Sequence, residues 1–164
     1  MNDSHMKVVV FGSFHAGKST FIQAIDPASR HVQAEGDEGS TTVAIDFGRV
    51  EVLGRRIHLF GTPGQERFEF VREITEKRMD AAILVVDCSI PVDEFTWKLY
   101  LHLSGTGVPV GIMLNKCDLE NSQPWTIREK FPQASTYELS SLDSGRAREA
   151  LMDFLKSVIG KTEP

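Results

Sequence analysis

Cysteine is scarce in this chain. Only Cys88 and Cys117 occur in 164 residues, too few for a disulfide framework. Neither belongs to a C-x-x-C pair, and both fall beside apolar runs. They are therefore expected to be reduced, inert core thiols of a cytoplasmic protein. Long apolar runs are missing too. None reaches the roughly 18 residues that a membrane-spanning helix needs. No apolar leader or acylatable glycine follows Met1, and "GKTEP" carries no prenylation cysteine. No intrinsic membrane anchor is expected. Basic excess is absent as well: 18 Lys and Arg face 23 Asp and Glu, a formal net charge of -5. Non-specific nucleic-acid binding needs a basic face, so nucleic acid is not an expected partner, and anionic lipid gains no general attraction.

What is present suits one globular domain. Hydrophobic residues make up 41% and charged residues 25%. Residues 7–160 are expected to form that domain. Residues 1–6 are expected to be disordered or left over from cloning, and 161–164 to be a short tail.

The runs "KVVVFG", "AAILVVD" and "VPVGIMLN" are continuous, apolar and β-branched, as central parallel strands are. "VAIDFGRVEV" and "RRIHLF" flank the turn "LGRR" and read as an antiparallel hairpin. "KSTFIQAI", "ERFEFVREITEKRMD", "PVDEFTWKLYLHLSG", "PWTIREKF" and "SGRAREALMDFLKSVIG" carry helical spacing, and "STYEL" is a short strand. Residues 28–41, polar and acidic, read as a mobile loop. The alternation predicts an α/β fold with a mostly parallel sheet and helices on both faces.

Two motifs carry chemistry. "GSFHAGKS" matches G-x-x-x-x-G-K-[ST] between a predicted strand and a predicted helix. Backbone N–H groups of such a loop wrap phosphates, and the helix N-terminus adds a favourable field. Gly12, Ser13, Phe14, His15, Ala16, Gly17, Lys18, Ser19 and Thr20 are the candidate phosphate contacts. Lys18 would reach the outer phosphates and Ser19 would ligate Mg²⁺. The second motif is "NKCD", Asn115 to Asp118. The Asp118 carboxylate can accept two hydrogen bonds from guanine N1–H and its amine, donors that adenine lacks. The Lys116 stem can lie along the base plane.

Phosphate loop, switch loops and N-K-x-D, in that order, resemble the Ras-like small GTPases over about residues 7–160. The phrase "LFGTPGQERF" is most similar to stand-alone prokaryotic members related to the signal-recognition-particle receptor β subunit. The resemblance implies a P-loop GTPase three-layer sandwich with a six-stranded, mostly parallel sheet and one antiparallel edge strand. It implies GTP or GDP as bound nucleotide, Mg²⁺ as cofactor, and effector, exchange or activating proteins at the switch loops. In "TVAIDF" it assigns Thr42 to the metal, with Thr41 as fallback. In "GTPGQER" Gly64 would sense the γ-phosphate, and Gln65 would orient the attacking water beside Lys18. In "ELSSLDS", Ser140, Ser141 and Leu142 fall at the last guanine-contacting loop.

Two positions depart from that pattern. Gly61 stands where the family places an aspartate holding a magnesium-bound water; Asp87 reads as a structural cap on the loop after its strand, with a substitute role at those waters as the alternative. Phe14 stands where glycine is common, close to the γ-phosphate, and predicts slow hydrolysis. His15 reads as a solvated loop residue, and Arg67 as a helix-surface charge rather than an intrinsic arginine finger. Phe68 and Phe70 are candidate effector contacts or sheet-packing residues. The leading expectation is a Mg²⁺-dependent GTP/GDP switch with slow hydrolysis, at the low end of the roughly 10⁻⁴ to 10⁻² s⁻¹ of such proteins because of Phe14 and Gly61. The alternative is a GTP-loaded recruitment scaffold with little or no hydrolysis.

Overall fold

The computed structural model describes residues 5–13, 15–35, 42–62 and 79–162. The strands are β1 His5–Phe11, β2 Arg30–Glu35, β3 Thr42–Val52, β4 Arg55–Gly61, β5 Ala81–Asp87, β6 Val110–Asn115 and β7 Ser135–Glu138. The helices described are α1 Lys18–Ile25, α2 Glu94–Ser104, α3 Pro124–Glu129 and α4 Ser144–Thr162. All seven strands form one sheet in the order β2-β3-β4-β1-β5-β6-β7.

The α/β sandwich with a mostly parallel sheet is the architecture expected. The strand count is not. Residues 30–35, expected within a mobile loop, form the edge strand β2, so the sheet has seven strands rather than six. β3 pairs antiparallel with both β2 and β4, while every other pairing is parallel. The reversed strand is thus second from the edge. "RHVQAE" lacks a clear apolar alternation, and a polar, charged strand is what a sheet edge tolerates. At the two end elements, His5 and Met6 pair with Arg56 and Ile57, and α4 runs to Thr162.

The apolar runs are continuous because both faces of the central strands are covered. Val8, Val10, Ile83, Val85 and Met113 face a cluster with Phe21, Ile22, Leu151, Phe154 and Leu155 of α1 and α4. Val9, Phe11, Leu84, Val86 and Leu114 face the other cluster, with Leu99 and Leu103 of α2 and Ile127 of α3. Gly111 lets the Phe154 ring lie against β6; a Cβ there would come within 2.7–2.9 Å of the ring carbons. The hairpin turn is Leu53–Gly54, with φ of 51° and 78°. A two-residue turn with both φ positive matches the twist of the flanking strands.

The sheet determines where the loops meet. β1, β5 and β6 are parallel neighbours, so their C-terminal ends lie on one edge of the sheet. The loops leaving them carry both motifs. Such an edge of a parallel sheet is where ligands bind in open α/β folds.

Candidate functional site

The phosphate-loop segment leaves β1 and turns into α1 at Gly17, whose φ of 100° is a conformation that L side chains rarely adopt. A Cβ at Gly17 would also lie 2.4 Å from the Asn115 amide nitrogen. At Gly12 a Cβ would lie 2.6 Å from the Val85 carbonyl oxygen. Both glycines are therefore demanded by close approach of β5 and β6. Lys18 is buried, and its ammonium donates to the carbonyls of Gly12 and Ser13, the latter at 3.2 Å. The amine arches back over the loop that its backbone closes. Ala16 N–H donates to the Ser13 carbonyl at 3.0 Å.

Asn115 joins the two motifs. It is 2% exposed at the end of β6. Its amide nitrogen donates to the Ala16 carbonyl at 2.8 Å, and its amide oxygen accepts from the Ser141 N–H at 2.8 Å. One side chain thus ties the phosphate loop, the N-K-x-D strand end and the "SSL" loop together. Ser141 is buried beside Gly17, and its hydroxyl has no hydrogen-bond partner among the described residues. Ser140 accepts from the Leu142 N–H at 3.2 Å and shapes that turn. Leu142 is exposed, as is Asp118.

Asp87 is occupied elsewhere than at the phosphate loop. One carboxylate oxygen receives the Lys116 ammonium at 2.9 Å; the other accepts the N–H and hydroxyl of Ser89 at 2.8 and 2.5 Å. Burial pushes its carboxyl up, but the Ser89 and Lys116 contacts outweigh that and hold it below its ordinary value. Asp87 therefore clamps Lys116, which holds a positive φ of 67°, within the N-K-x-D loop.

Two features escaped sequence reasoning. The Ser13 hydroxyl donates to Asp93 at 2.7 Å and lies 2.8 Å from the Thr96 hydroxyl. Asp93 also caps α2, accepting from the Thr96 N–H at 2.7 Å. Asp-x-x-Thr ahead of an apolar run signals a cap but says nothing of a tie to the phosphate loop. The second feature is Asp46, opposite Gly61 in the β3–β4 register, whose carboxylate accepts the Ser19 hydroxyl proton. Its signal was phase: Asp46 lies four and six residues before Val50 and Val52, on the α1 face of β3.

The two cysteines are not independent core thiols. Cys88 is buried and its thiol donates to the Val86 carbonyl at 3.9 Å; Cys117 is half-buried, close by, and its thiol donates to the Leu114 carbonyl at 3.1 Å. The Cys88 contact pulls the Cys117 thiol down to about 7, while Cys117 and burial push Cys88 up. A cleft of about 590 Å³, lined by Cys88, Ser89, Ile90, Trp97, Gln123 and Ile127 among others, lies between α2 and α3. Thr42 opens β3 paired with Glu35. Phe14, Thr41, Gly64, Gln65, Arg67, Phe68 and Phe70 lie outside the described residues, as does most of the helix expected from "ERFEFVREITEKRMD".

Residues 3–149 match the elongation factor Tu GTP binding domain. The chain belongs to that family. It is a P-loop, GTP-binding G domain. It is 36% identical over 119 residues to an uncharacterized protein of Methanocaldococcus jannaschii, across 73% of this chain and 75% of that one. It is 32% identical over 127 residues to translation initiation factor IF-2 of Roseiflexus sp. (strain RS-1), across 77% of this chain but only 17% of the factor. Among solved structures, the G domain of the T. maritima FeoB iron transporter superposes with a TM-score of 0.76 at 20% identity, covering 94% of this chain and 99% of that domain. Elongation factor SelB of Methanococcus maripaludis, in complex with the GTP analogue GppNHp, superposes with a TM-score of 0.74 at 19% identity, covering all of this chain and 36% of that one. These likenesses support the fold. Among the described residues, no helix is long and apolar enough to cross a membrane.

Proposed function

We propose that this chain is a small Ras-like molecular switch that binds GTP and GDP with Mg²⁺ and hydrolyses GTP slowly. The observation that carries it is the Asn115 strut, which sets the phosphate loop against the N-K-x-D loop. Two segments 99 residues apart are held as one site. Backbone N–H groups of the loop and the start of α1 would hold the phosphates, with Lys18 leaving its carbonyl partners for the outer ones. Asp118 would read the base, and Ser140, Ser141 and Leu142 would flank it. Ser19 and Thr42 are the proposed Mg²⁺ ligands. The ion would neutralise charge developing on the phosphoryl oxygens, Gln65 would orient water, and Gly64 would report the γ-phosphate. Loss of that phosphate would release the switch segments and any effector bound there. The identity to the Methanocaldococcus jannaschii protein covers 73% of this chain and 75% of that one, whereas the initiation factor is matched over only 17% of its length. Kinship with the signal-recognition-particle receptor β subunit rests on the "LFGTPGQERF" phrase. A cytoplasmic location follows from the same reading.

The test is single-turnover hydrolysis of GTP with Gln65→Ala as comparison, and competition of ATP against GTP by calorimetry. GTP should win by orders of magnitude, and Gln65→Ala should slow γ-phosphate release at least tenfold. Equal, negligible turnover in both proteins would favour the second reading, a GTP-loaded scaffold. Gly61 and Phe14 are what speak for it. ATP bound as tightly as GTP would overturn the base assignment.

A further inference from the structure

The carboxylate missing at position 61 has a steric counterpart. A Cβ at Gly61 would lie 2.8 Å from Cδ1 of Ile22 and 3.2 Å from Cβ of Asp46. Ile22 is fully buried, and it crowds Gly48 on β3 in the same way, with 2.9 Å to Cγ2. α1 thus sits down on two glycines of the hairpin. That leaves little room for a side chain growing from position 61.

The same close packing delivers an acid from the next strand. Asp46 pairs directly with Gly61, and its carboxylate oxygen is 3.5 Å from where a Gly61 Cβ would begin. That oxygen accepts the proton of the Ser19 hydroxyl, the residue after the phosphate-loop lysine. A hydroxyl donating to a carboxylate keeps its lone pairs for a cation. Hydroxyl and carboxylate are hard oxygen donors, the chemistry Mg²⁺ selects.

We propose that Asp46 is the magnesium-positioning acid of this protein. It takes over from β3 the work that a carboxylate at position 61 would do from β4. The proposal rests on the nucleotide-switch reading above. Asp46 orients Ser19 and supplies the negative charge that holds water on the ion; Asp87, spent on Lys116 and Ser89, does not. Loss of such an outer partner typically lowers metal affinity by roughly 10–100-fold.

The test loads the protein with GDP and titrates Mn²⁺ by electron paramagnetic resonance, with GDP affinity in EDTA measured in parallel. Asp46→Asn should weaken Mn²⁺ by at least about tenfold while GDP affinity in EDTA stays within about twofold. Unchanged Mn²⁺ affinity would overturn the proposal. So would an equal loss of GDP with and without metal, which would make Asp46 a support of the loop alone. Absence of GDP binding by the wild type would instead sink the switch reading. Should Asp46→Asn fail to fold, a crystal structure of the wild type with GDP and Mn²⁺ decides. A metal-bound water within about 3 Å of the Asp46 carboxylate is expected; waters held by Asp87, or by no carboxylate, would refute it.

Discussion

Truncating Asn115 to alanine probes the joint between the two motifs. The side chain is 2% exposed and makes two hydrogen bonds of 2.8 Å, to the Ala16 carbonyl and from the Ser141 N–H. Each bond is worth about 1 kcal/mol, and each buried group left without a partner costs about 1–3 kcal/mol more. Water entering the vacated space would recover part of that. The net loss should therefore fall at about 2–4 kcal/mol. Part of it appears in global stability and part in order of the phosphate loop. At 1.4 kcal/mol per tenfold, loop disorder alone could lower GDP affinity by roughly 10–500-fold. Urea unfolding of the nucleotide-free protein and a fluorescent-GDP titration separate the two. Asn115→Asp keeps the acceptor for Ser141 but faces a carboxylate with the Ala16 carbonyl, so it should do worse than alanine in loop order. The reasoning fails if Asn115→Ala loses GDP affinity while nucleotide-free stability changes by less than about 0.5 kcal/mol. Asn115 would then act on the base alone.

Asp93→Asn should lower stability by about 0.5–1 kcal/mol at pH 7: the amide still caps α2, but the charge that strengthens the Thr96 and Ser13 hydrogen bonds and faces the helix N-terminus is lost. Burial pushes the Asp93 carboxyl up, but Thr96 and Ser13 prevail and hold it below its ordinary value of 3.8. Its stabilisation is thus complete above that value and lost as pH falls through the lower folded one, so wild type and variant should converge below about pH 4 in acid unfolding. Cys117 should react with iodoacetamide at a rate that rises through about pH 7, because the neighbouring Cys88 thiol favours its thiolate. A rate that stays low until pH 8.5 or above would refute that contact. Gly111→Ala should cost about 1–3 kcal/mol in thermal unfolding, since its Cβ would meet a Phe154 ring that is 2% exposed and fully packed; no loss would mean that the ring shifts freely.

The parts of the fold that could be read from sequence are those dictated by nearest neighbours. A strand buried on both faces must be apolar along its length, and β5 and β6 are, up to their last residues Asp87 and Asn115. A helix docked along one side must repeat every three or four residues, as α4 does with Ala147, Leu151, Phe154, Leu155 and Val158. β2 could not be read, because an edge strand takes half its definition from its one partner. The phosphate-loop and base motifs were legible because their spacing is the chemistry. Their mutual support was not. Ser13 meets Asp93 across 80 residues and Ser19 meets Asp46 across 27. Only the assembled fold brings such pairs together. Asp87 reads alike from sequence and structure: expected first as a cap on the loop after its strand, it hydrogen-bonds Ser89 of that loop and Lys116.

Gly61 and Asp46 are best understood as one exchange. Restoring an aspartate at 61 looks from sequence like a repair, yet its Cβ must displace Ile22 or Asp46. Overpacking a closed core costs about 1–3 kcal/mol. It would also set two carboxylates side by side, which raises the cost of ionising both. Gly61→Asp in the wild-type background should therefore lower stability and gain no metal affinity. Removing Asp46 at the same time relieves the like-charge pair and one of the two contacts, leaving the one with Ile22. The double variant Asp46→Gly, Gly61→Asp should bind Mn²⁺ more tightly than Asp46→Gly alone. If Gly61→Asp by itself tightens Mn²⁺ binding, the site has room for both acids and the exchange is not forced by packing.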